Sequence, residues 1–346
     1  MMNPSRRSAL YALLAAALFG AATPASKLLL TGLGSFQLAG LLYVGAALGV
    51  APAALRAGGI RLPLRSDRPN QVRLAGAIVA GGIVGPVLLL LGLRIAAASS
   101  VSLWLNFELA ATALLGVLFF HDQLGLPGWA GVVATFAGAL LLSADGGRSG
   151  FAAAVLVLLA CVCWGLDNHL TGLIDGITPA ESTFWKGLVA GAVNLSIGLV
   201  MGSRIPGLVV AAALVVGALA YGASIVLYIS SAQCLGSTRA QVIFSTAPVF
   251  GVVLSASLLG ESLRFIHLAS GLLFAAGIGL LFLESHSHAH EHLAAAHEHE
   301  HEHDEDHHLH DHQGDGLPRR HGHPHGHPAV VHSHPHLPDL HHRHEH

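Results

Sequence analysis

The sequence has 346 residues, of which 53% are hydrophobic and only 11% are charged, and its formal net charge at pH 7 is −3. So little charge leaves too little polar surface for a water-soluble enzyme or nucleic-acid-binding domain of this length. The charge is also unevenly divided. Residues 1–283 carry fourteen Lys and Arg against eight Asp and Glu, whereas residues 284–346 carry three Arg against twelve acidic residues.

Residues 8–283 consist of apolar stretches that follow one another almost without pause, each long enough to cross a bilayer as a helix. Their continuous apolarity favours a helical bundle over a barrel, whose strands would alternate in polarity. We predict an all-α integral membrane protein with ten transmembrane helices. Spans 1 to 10 are predicted at residues 8–30, 36–55, 72–92, 98–119, 126–143, 151–171, 179–201, 208–230, 239–259 and 264–283.

The basic residues predict the orientation of the bundle. Arg6 and Arg7 precede span 1, and the connection 56–73 after span 2 carries five Arg, whereas the connections after spans 1 and 9 carry no Lys or Arg. This bias places the N-terminus and the 56–73 connection in the cytoplasm. Ten spans then return the C-terminal segment to the cytoplasm, and we expect a multi-pass protein of the inner (plasma) membrane.

The body repeats itself at an offset of 139 residues. Residues 99–124 align without a gap with residues 238–263, so that FFHDQL at 119–124 meets LLGESL at 258–263. Accidental similarity between Leu/Ala/Gly-rich helices is the alternative, and the shared acidic-x-Leu junction argues against it.

After a cytoplasmic N-terminus at 1–7, the repeat divides the body into two five-helix units, 8–143 and 151–283. Five is an odd number, so the second unit enters the membrane from the opposite side. Inverted repeats of this kind are typical of secondary transporters, whose substrate site lies near the midplane between the halves.

The repeated junction also indicates a family. The Gly-Glu-x-Leu junction in LLGESL at 258–263 closely resembles that of EamA-type units in the drug/metabolite transporter superfamily, and FFHDQL at 119–124 is a looser match. The segments LWLNFELAATALL in span 4 and CWGLDNHLTG in span 6 resemble one subgroup of this family. The resemblance covers nearly all of residues 8–283. It implies ten helices, two cytoplasmic termini, and export or exchange of small metabolites.

Glu108 is the most informative ionisable residue, because it lies in a run of more than twenty residues with no other charge. A carboxylate at that depth is expected to be protonated or matched by a cation. It is therefore either a group that couples transport to protons or substrate, or half of a structural ion pair with Lys27 or Lys186.

Further polar residues within the spans are candidates for the transport pathway. Asp167, Asn168 and His169 lie in the second half of span 6, where they mark either a polar site at a half-helix boundary or an ordinary helix exit. The full set of candidates is Lys27, Asn106, Glu108, Asp167, Asn168, His169, Lys186 and Gln241.

Prolines and glycines predict where the helices are irregular or closely packed. Pro24, Pro86 and Pro248 are expected to interrupt spans 1, 3 and 9, as in transporters that build sites from broken helices. Glycine pairs four residues apart predict close helix packing. These pairs are Gly45/Gly49, Gly81/Gly85 and Gly187/Gly191.

The segment 284–346 holds all but three of the 26 histidines, lacks apolar periodicity and is predicted to be disordered. Imidazole is the commonest protein ligand for divalent transition metals, so we predict that this tail binds nickel, cobalt, zinc or copper ions. Binding should weaken as the pH falls through about 6.5, where imidazole is protonated. The candidate ligands are His297, His299, His301, His303, His307, His308, His310, His312, His321, His323, His325, His327, His332, His334 and His336.

Together these features predict a secondary transporter that works by alternating access and exports a small metabolite or a divalent metal ion. The polar residues of the body are too sparse for the nucleophile–base pair of an enzyme. The sequence contains no phosphate-binding loop motif, so we do not expect ATP to drive transport directly. No cofactor is required; the expected partners are the lipid bilayer and the substrate, without nucleic acid, and a homodimer is left open.

The role of the tail is open among three alternatives. It collects metal for export, it senses metal and gates transport of another substrate, or it only buffers metal or is a low-complexity extension without a role in transport. The alternative function is a metal-responsive membrane sensor that does not itself transport metal.

Overall fold

The protein forms two compact regions, a body region made of residues 1–284 with 339–346 and a tail region made of residues 285–338. The computed structural model describes residues 4–56, 59–63, 67–119, 124–145, 147–174, 177–202, 207–235, 240, 243–283, 286–292, 295–302, 320–327 and 330–336.

The described residues of the body region are helical, as predicted. Among its described residues, eight helical stretches are long and apolar enough to cross a membrane: Arg7–Leu29, Ser35–Arg56, Arg68–Ile95, Ala98–Phe119, Leu126–Ala144, Gly147–Gly172, Pro179–Met201 and Gly207–Ser231. They correspond to spans 1 to 8. Two shorter apolar helices, Ala247–Leu259 and Phe265–Leu281, lie within the predicted spans 9 and 10. The ten spans keep these numbers below.

Spans 3 and 8 share an unusual deformation. Each changes from an α-helix to a π-helix for seven residues and then returns to an α-helix, with the π segments at Ile78–Val84 and Gly217–Ala223. The flanking α-helices are Arg68–Ala77 and Gly85–Ile95 in span 3, and Gly207–Val216 and Ser224–Leu235 in span 8. The two π segments are 139 residues apart, which is the offset of the sequence repeat. The repeat therefore preserves a rare backbone conformation that often marks functional sites.

Spans 4 and 9 are both broken near their middle. In span 4 a turn separates helix Ala98–Trp104 from helix Phe107–Phe119. In span 9 a turn precedes helix Ala247–Leu259. A side chain satisfies a carbonyl at each break: Asn106 Nδ2 donates to Leu103 O at 2.9 Å, and Thr246 Oγ1 donates to Ile243 O at 2.7 Å.

The breaks confirm what the prolines predict. Span 1 is divided into helices Pro4–Gly20 and Ala22–Leu29, Pro86 lies in the first turn of the helix that follows the first π segment, and Pro248 lies in the first turn after the break in span 9. Proline lacks an N–H, so the first turn of a helix accommodates it without losing a hydrogen bond.

The helices of the two units pack in a symmetric arrangement. Span 2 packs on span 7, span 5 on span 10, and the first half of span 4 on span 9. The contact of span 3 with span 6 is matched by that of span 8 with span 1. Exchanging the two units reproduces each of these contacts, so the repeat extends from the sequence to the packing.

Small residues bring spans 2 and 7 close together. A Cβ atom added at Gly191 would lie 2.8 Å from the backbone nitrogen of Val44 and 3.1 Å from the carbonyl oxygen of Gly40. A Cβ atom at Gly187 would lie 2.7 Å from the carbonyl oxygen of Tyr43. The glycine spacing in span 7 thus allows direct backbone approach, as predicted.

The Gly-Glu-x-Leu junction joins the two units. Gly260 ends the helix of span 9 with a φ of +66°, in the left-handed region that favours glycine. The carboxylate of Glu261 then accepts hydrogen bonds from the backbone nitrogens of Ala98 at 2.7 Å and Ser99 at 2.8 Å. The junction of the second unit therefore caps the N-terminus of span 4 in the first unit.

The described residues of the tail region form four short strands. Strand His286–His292 pairs antiparallel with Val330–His336, and Ala295–Glu302 pairs antiparallel with Arg320–His327. The alternation of histidine with other residues has the period of a strand, which places histidine opposite histidine at alternate positions. Two-stranded ladders of this kind are only marginally stable in water.

Replacing Gly191 with alanine should destabilise the bundle by about 1–3 kcal/mol, because the methyl group forces spans 2 and 7 apart. Gly279→Ala is the matched control, since nothing lies within 4 Å of a Cβ atom there. Thermal unfolding of the two purified variants in detergent measures the difference. Equal melting temperatures would show that the close approach of these spans contributes nothing to stability.

Candidate functional site

A cavity of about 510 Å³ lies between the two five-helix units. Its wall is built from spans 1, 3, 4, 6, 8 and 9. The described lining residues are Phe19, Gly20, Ala22, Thr23, Leu89, Ser102, Leu105, Asn106, Glu108, Leu109, Thr112, Trp164, Asn168, Tyr221, Ile225, Tyr228, Phe244, Ser245, Ala247 and Pro248. Its volume falls in the usual range for small-molecule sites.

The broken helices form one part of the wall. Leu105 and Asn106 of the break in span 4 line the cavity, and so do Phe244 and Ser245, their partners at the repeat offset in span 9. Discontinuous helices that meet at an interface of two repeats are the usual way in which transporters build a substrate site.

Glu108 is the carboxylate of the cavity. Its Oε1 accepts a hydrogen bond from Asn168 Nδ2 at 3.0 Å, and the same amide nitrogen lies 3.3 Å from Thr112 Oγ1. Thr112 Oγ1 in turn donates to the backbone carbonyl of Glu108 at 2.9 Å. These contacts join spans 4 and 6 and fix the carboxylate in the wall. No Lys, Arg or His is among the described lining residues.

The repeat does not preserve this charge. At the offset of 139, Glu108 corresponds to Ala247, which also lines the cavity. The two halves of the wall are therefore similar in backbone shape but differ in charge, with the carboxylate on one side.

Asp167 and Lys186 form a separate ion pair, and neither is among the described residues that line the cavity. Lys186 Nζ lies 2.6 Å from each carboxylate oxygen of Asp167, and Thr171 Oγ1 donates to Oδ1 at 2.8 Å. Both side chains are largely buried. The structure thus pairs Lys186 with Asp167 and not with Glu108, and span 6 continues as a helix to Gly172 beyond Asp167.

Lys27 also does not pair with Glu108. Its Nζ donates to the backbone carbonyls of Leu93 at 2.6 Å and Ala96 at 2.8 Å, at the end of span 3. The expected structural ion pair of Glu108 with either lysine is therefore not seen, because carbonyls and Asp167 take up the two ammonium groups.

The remaining candidates divide into two groups. His169 Nε2 lies 2.9 Å from the carbonyl oxygen of Thr112, so it joins span 6 to span 4 without lining the cavity. Asn106 lines the cavity, while its amide caps Leu103. Gln241 and the side chains of the tail histidines lie outside the described residues.

An aromatic cluster in the cavity was not predicted from the sequence. Phe19, Tyr221, Tyr228 and Phe244 lie in contact, with ring centroids 5.6 Å apart for Phe19 and Tyr221 and 5.0 Å apart for Tyr228 and Phe244. Trp164 lies in the same wall and donates its Nε1 proton to the carbonyl of Gly81 at 3.0 Å. The signal in the sequence that could have indicated it is the match of Phe19-Gly20 with Trp164-Gly165, which lie 145 residues apart in the two five-helix units.

The described part of the body offers no metal centre. No group of three or more His, Cys, Asp or Glu able to hold a metal ion occurs among the described residues. Glu108, Asp167 and His169 each bind a different protein partner. The thiol of Cys161 is buried near the carbonyl of Trp104, in keeping with apolar packing.

Comparison with known proteins agrees with this architecture. The EamA-like transporter family matches residues 6–144 and again residues 151–283, so each five-helix set is one copy of the family's unit. The chain belongs to the EamA-like transporter family.

Two similar proteins support the assignment. A protein of Methanothermobacter thermautotrophicus named uncharacterized transporter is 27% identical over 229 residues, which are 63% of this chain and 66% of that protein. The EamA-like chain thus spans slightly less than two thirds of the relative's length. A solved crystal structure matches with a TM-score of 0.56 and 16% sequence identity, and the match covers 81% of this chain and 97% of the other chain. This similarity shows the fold alone.

Replacing Lys186 with methionine should destabilise the protein by about 3–5 kcal/mol, because it leaves the carboxylate of Asp167 buried without its cation. The double variant Lys186→Met/Asp167→Asn should recover much of this loss. Steric trapping in bicelles measures the free energies of unfolding of the single and double variants. Additive effects of the two substitutions would contradict a direct ion pair.

Proposed function

We propose that this EamA-like protein is a secondary active transporter that exports a small metabolite or a divalent metal ion. The observation that carries this proposal is a cavity of small-molecule size at the interface of two related five-helix units, walled by broken helices from both. Alternating access follows if the two units rock about this cavity, as in other repeat transporters. Because the positive-inside bias favours cytoplasmic termini in the inner membrane, the cavity would load from that side.

Glu108 is the proposed coupling group. In a wall of low dielectric, a carboxylate with only amide and hydroxyl neighbours needs a proton or a cation to neutralise it. The other titratable side chains that line the cavity are Tyr221 and Tyr228, and the Asp167–Lys186 pair lies outside the lining but close enough to interact electrostatically with Glu108. Exchange of a proton for substrate at Glu108 would couple export to the proton gradient.

The histidine tail is proposed to bind nickel, cobalt, zinc or copper ions in the cytoplasm. Because the described body has no group of metal ligands, the tail is the chemically suitable place for metal binding. It would then either supply metal to the bundle or report its concentration. A metal-responsive membrane sensor is therefore the second candidate function, and the homodimer remains a proposal.

Glu108→Gln should abolish the dependence of transport on the pH gradient, because an amide of the same shape cannot exchange a proton. Uptake of nickel, labelled amino acids and labelled organic cations into everted vesicles, at mildly acidic and mildly alkaline pH, measures this. The control is Asp67→Asn, which lies outside the cavity. Its amide oxygen can still accept the helix-capping hydrogen bond from the backbone nitrogen of Asn70, and it loses the bond that Asn70 Nδ2 donates to the second carboxylate oxygen. Unchanged pH-dependent uptake by the Glu108→Gln vesicles would remove the coupling role.

Full-length protein should bind nickel at neutral pH and release it as the pH falls through about 6.5, because protonated imidazole is not a ligand. A variant truncated to residues 1–285 should lose this binding and elute normally on size exclusion. Cells carrying either form are compared for tolerance to nickel, cobalt, zinc and copper. If both forms behave like cells without the protein, metal transport is contradicted and the sensor is favoured.

A further inference from the structure

The charge of the cavity restricts the class of substrate. Glu108 supplies a carboxylate, and no basic side chain is among the described lining residues. The two lysines of the neighbouring spans do not compensate it, since Lys186 is held by both oxygens of Asp167 and Lys27 by backbone carbonyls of span 3. An anionic metabolite would therefore meet like charge, whereas a cation would neutralise the carboxylate.

The amide of Asn168 does not replace a cation. It donates one hydrogen bond to Oε1 of Glu108 at 3.0 Å, and no described residue donates to the other oxygen, Oε2. Glu108 is one of the residues that line the cavity. A ligand with N–H groups or a diffuse positive charge can interact with it without displacing Asn168.

The aromatic rings favour an organic cation over a metal ion. Phe19, Trp164, Tyr221, Tyr228 and Phe244 contribute to the same wall, and cations of low charge density are attracted to the faces of such rings. The ring of Trp164 is held in place by its hydrogen bond to Gly81 O. A divalent metal would instead need several hard or imidazole ligands, and the described residues contain no such group.

The size of the cavity agrees with this chemistry. The cavity volume of about 510 Å³ is larger than a bare ion requires and is suitable for a compact organic molecule. The carboxylate lies on one side, because its repeat partner is Ala247, and the aromatic rings of Phe244 and Tyr228 come from spans 9 and 8 of the other unit. A ligand in the cavity would thus bridge the two units.

We propose that the substrate is a small organic cation, an amine or quaternary ammonium compound whose charged end lies beside Glu108 and whose carbon atoms contact the aromatic rings. This inference rests on the proposed transport function and names its substrate class.

The test compares three probes of similar shape. Choline is a cation, 3,3-dimethyl-1-butanol is its neutral counterpart, and glycine betaine is a zwitterion. Equilibrium binding of each probe to full-length protein in nanodiscs is measured by calorimetry, with tetraethylammonium as a second cation. We expect the two cations to bind. The neutral and zwitterionic probes should bind at least about tenfold more weakly, because they lack the net positive charge that interacts favourably with the carboxylate of Glu108.

Two pairs of variants locate the site. Glu108→Gln should weaken choline binding by about tenfold or more, whereas Asp67→Asn, the same chemical change outside the cavity, should leave it unaltered. Tyr221→Leu should weaken binding several-fold and Tyr221→Phe should retain it, because a cation requires the ring face and not the hydroxyl. Both Tyr221 variants leave Glu108 in place, so a difference between them reports on the aromatic ring and not on a structural effect at Glu108.

The outcomes are separable from those of the transport proposal. Binding of the neutral or zwitterionic probe as tight as that of choline, unaltered binding by Glu108→Gln, or no binding of either cation at millimolar concentration would overturn the organic-cation class. Flux of labelled choline into proteoliposomes is measured independently. Intact choline binding without flux would remove only the transport proposal, whereas flux of other solutes without choline binding would remove only the substrate class.

Discussion

The structure depends on one constraint, that every backbone polar group inside the hydrocarbon must find a partner within the protein. The π segment of span 3 shows how it is met. The carbonyl of Gly81 accepts from Tyr43 Oη at 2.5 Å and from Trp164 Nε1 at 3.0 Å, and Asn194 Nδ2 lies 3.2 Å from the carbonyl of Gly82. Side chains of spans 2, 6 and 7 thus hold an irregular helix that would otherwise be costly in lipid. Because one of them is Trp164, the wall of the cavity is fixed by the same contacts.

The two units share backbone features and differ in chemistry. The π segments and the mid-span breaks recur at or near the repeat offset, so the cavity has similar walls on both sides. The polar groups do not recur. The residue of the second unit that corresponds to Glu108 is Ala247, and the Asp167–Lys186 pair occurs in the second unit. Duplication therefore supplies the architecture, while substitutions within one copy supply the chemistry of the site.

The number of spans, the repeat and the interrupted helices could be predicted from the sequence, because apolar length, an ungapped offset and proline positions report on local structure. The partners of the charged residues could not. From the sequence, either Glu108 or Asp167 could pair with Lys186. Which carboxylate forms the pair depends on how each helix is rotated about its axis. The contact of Glu108 with Asn168 joins residues 60 positions apart in different units. The aromatic cluster escaped detection because Phe19, Tyr221 and Phe244 lie on three separate spans and look like ordinary apolar residues.

The junction carboxylate of Glu261 has a mechanical consequence. It belongs to the second unit, yet it holds the backbone nitrogens of Ala98 and Ser99 at the start of span 4 in the first unit. Any motion that separates the units at this end either breaks both hydrogen bonds or carries the first half of span 4 along with the junction of the second unit. In the second case, the turn at Leu105 and Asn106 is where one span is divided between two moving bodies, and Glu108 lies two residues beyond this turn.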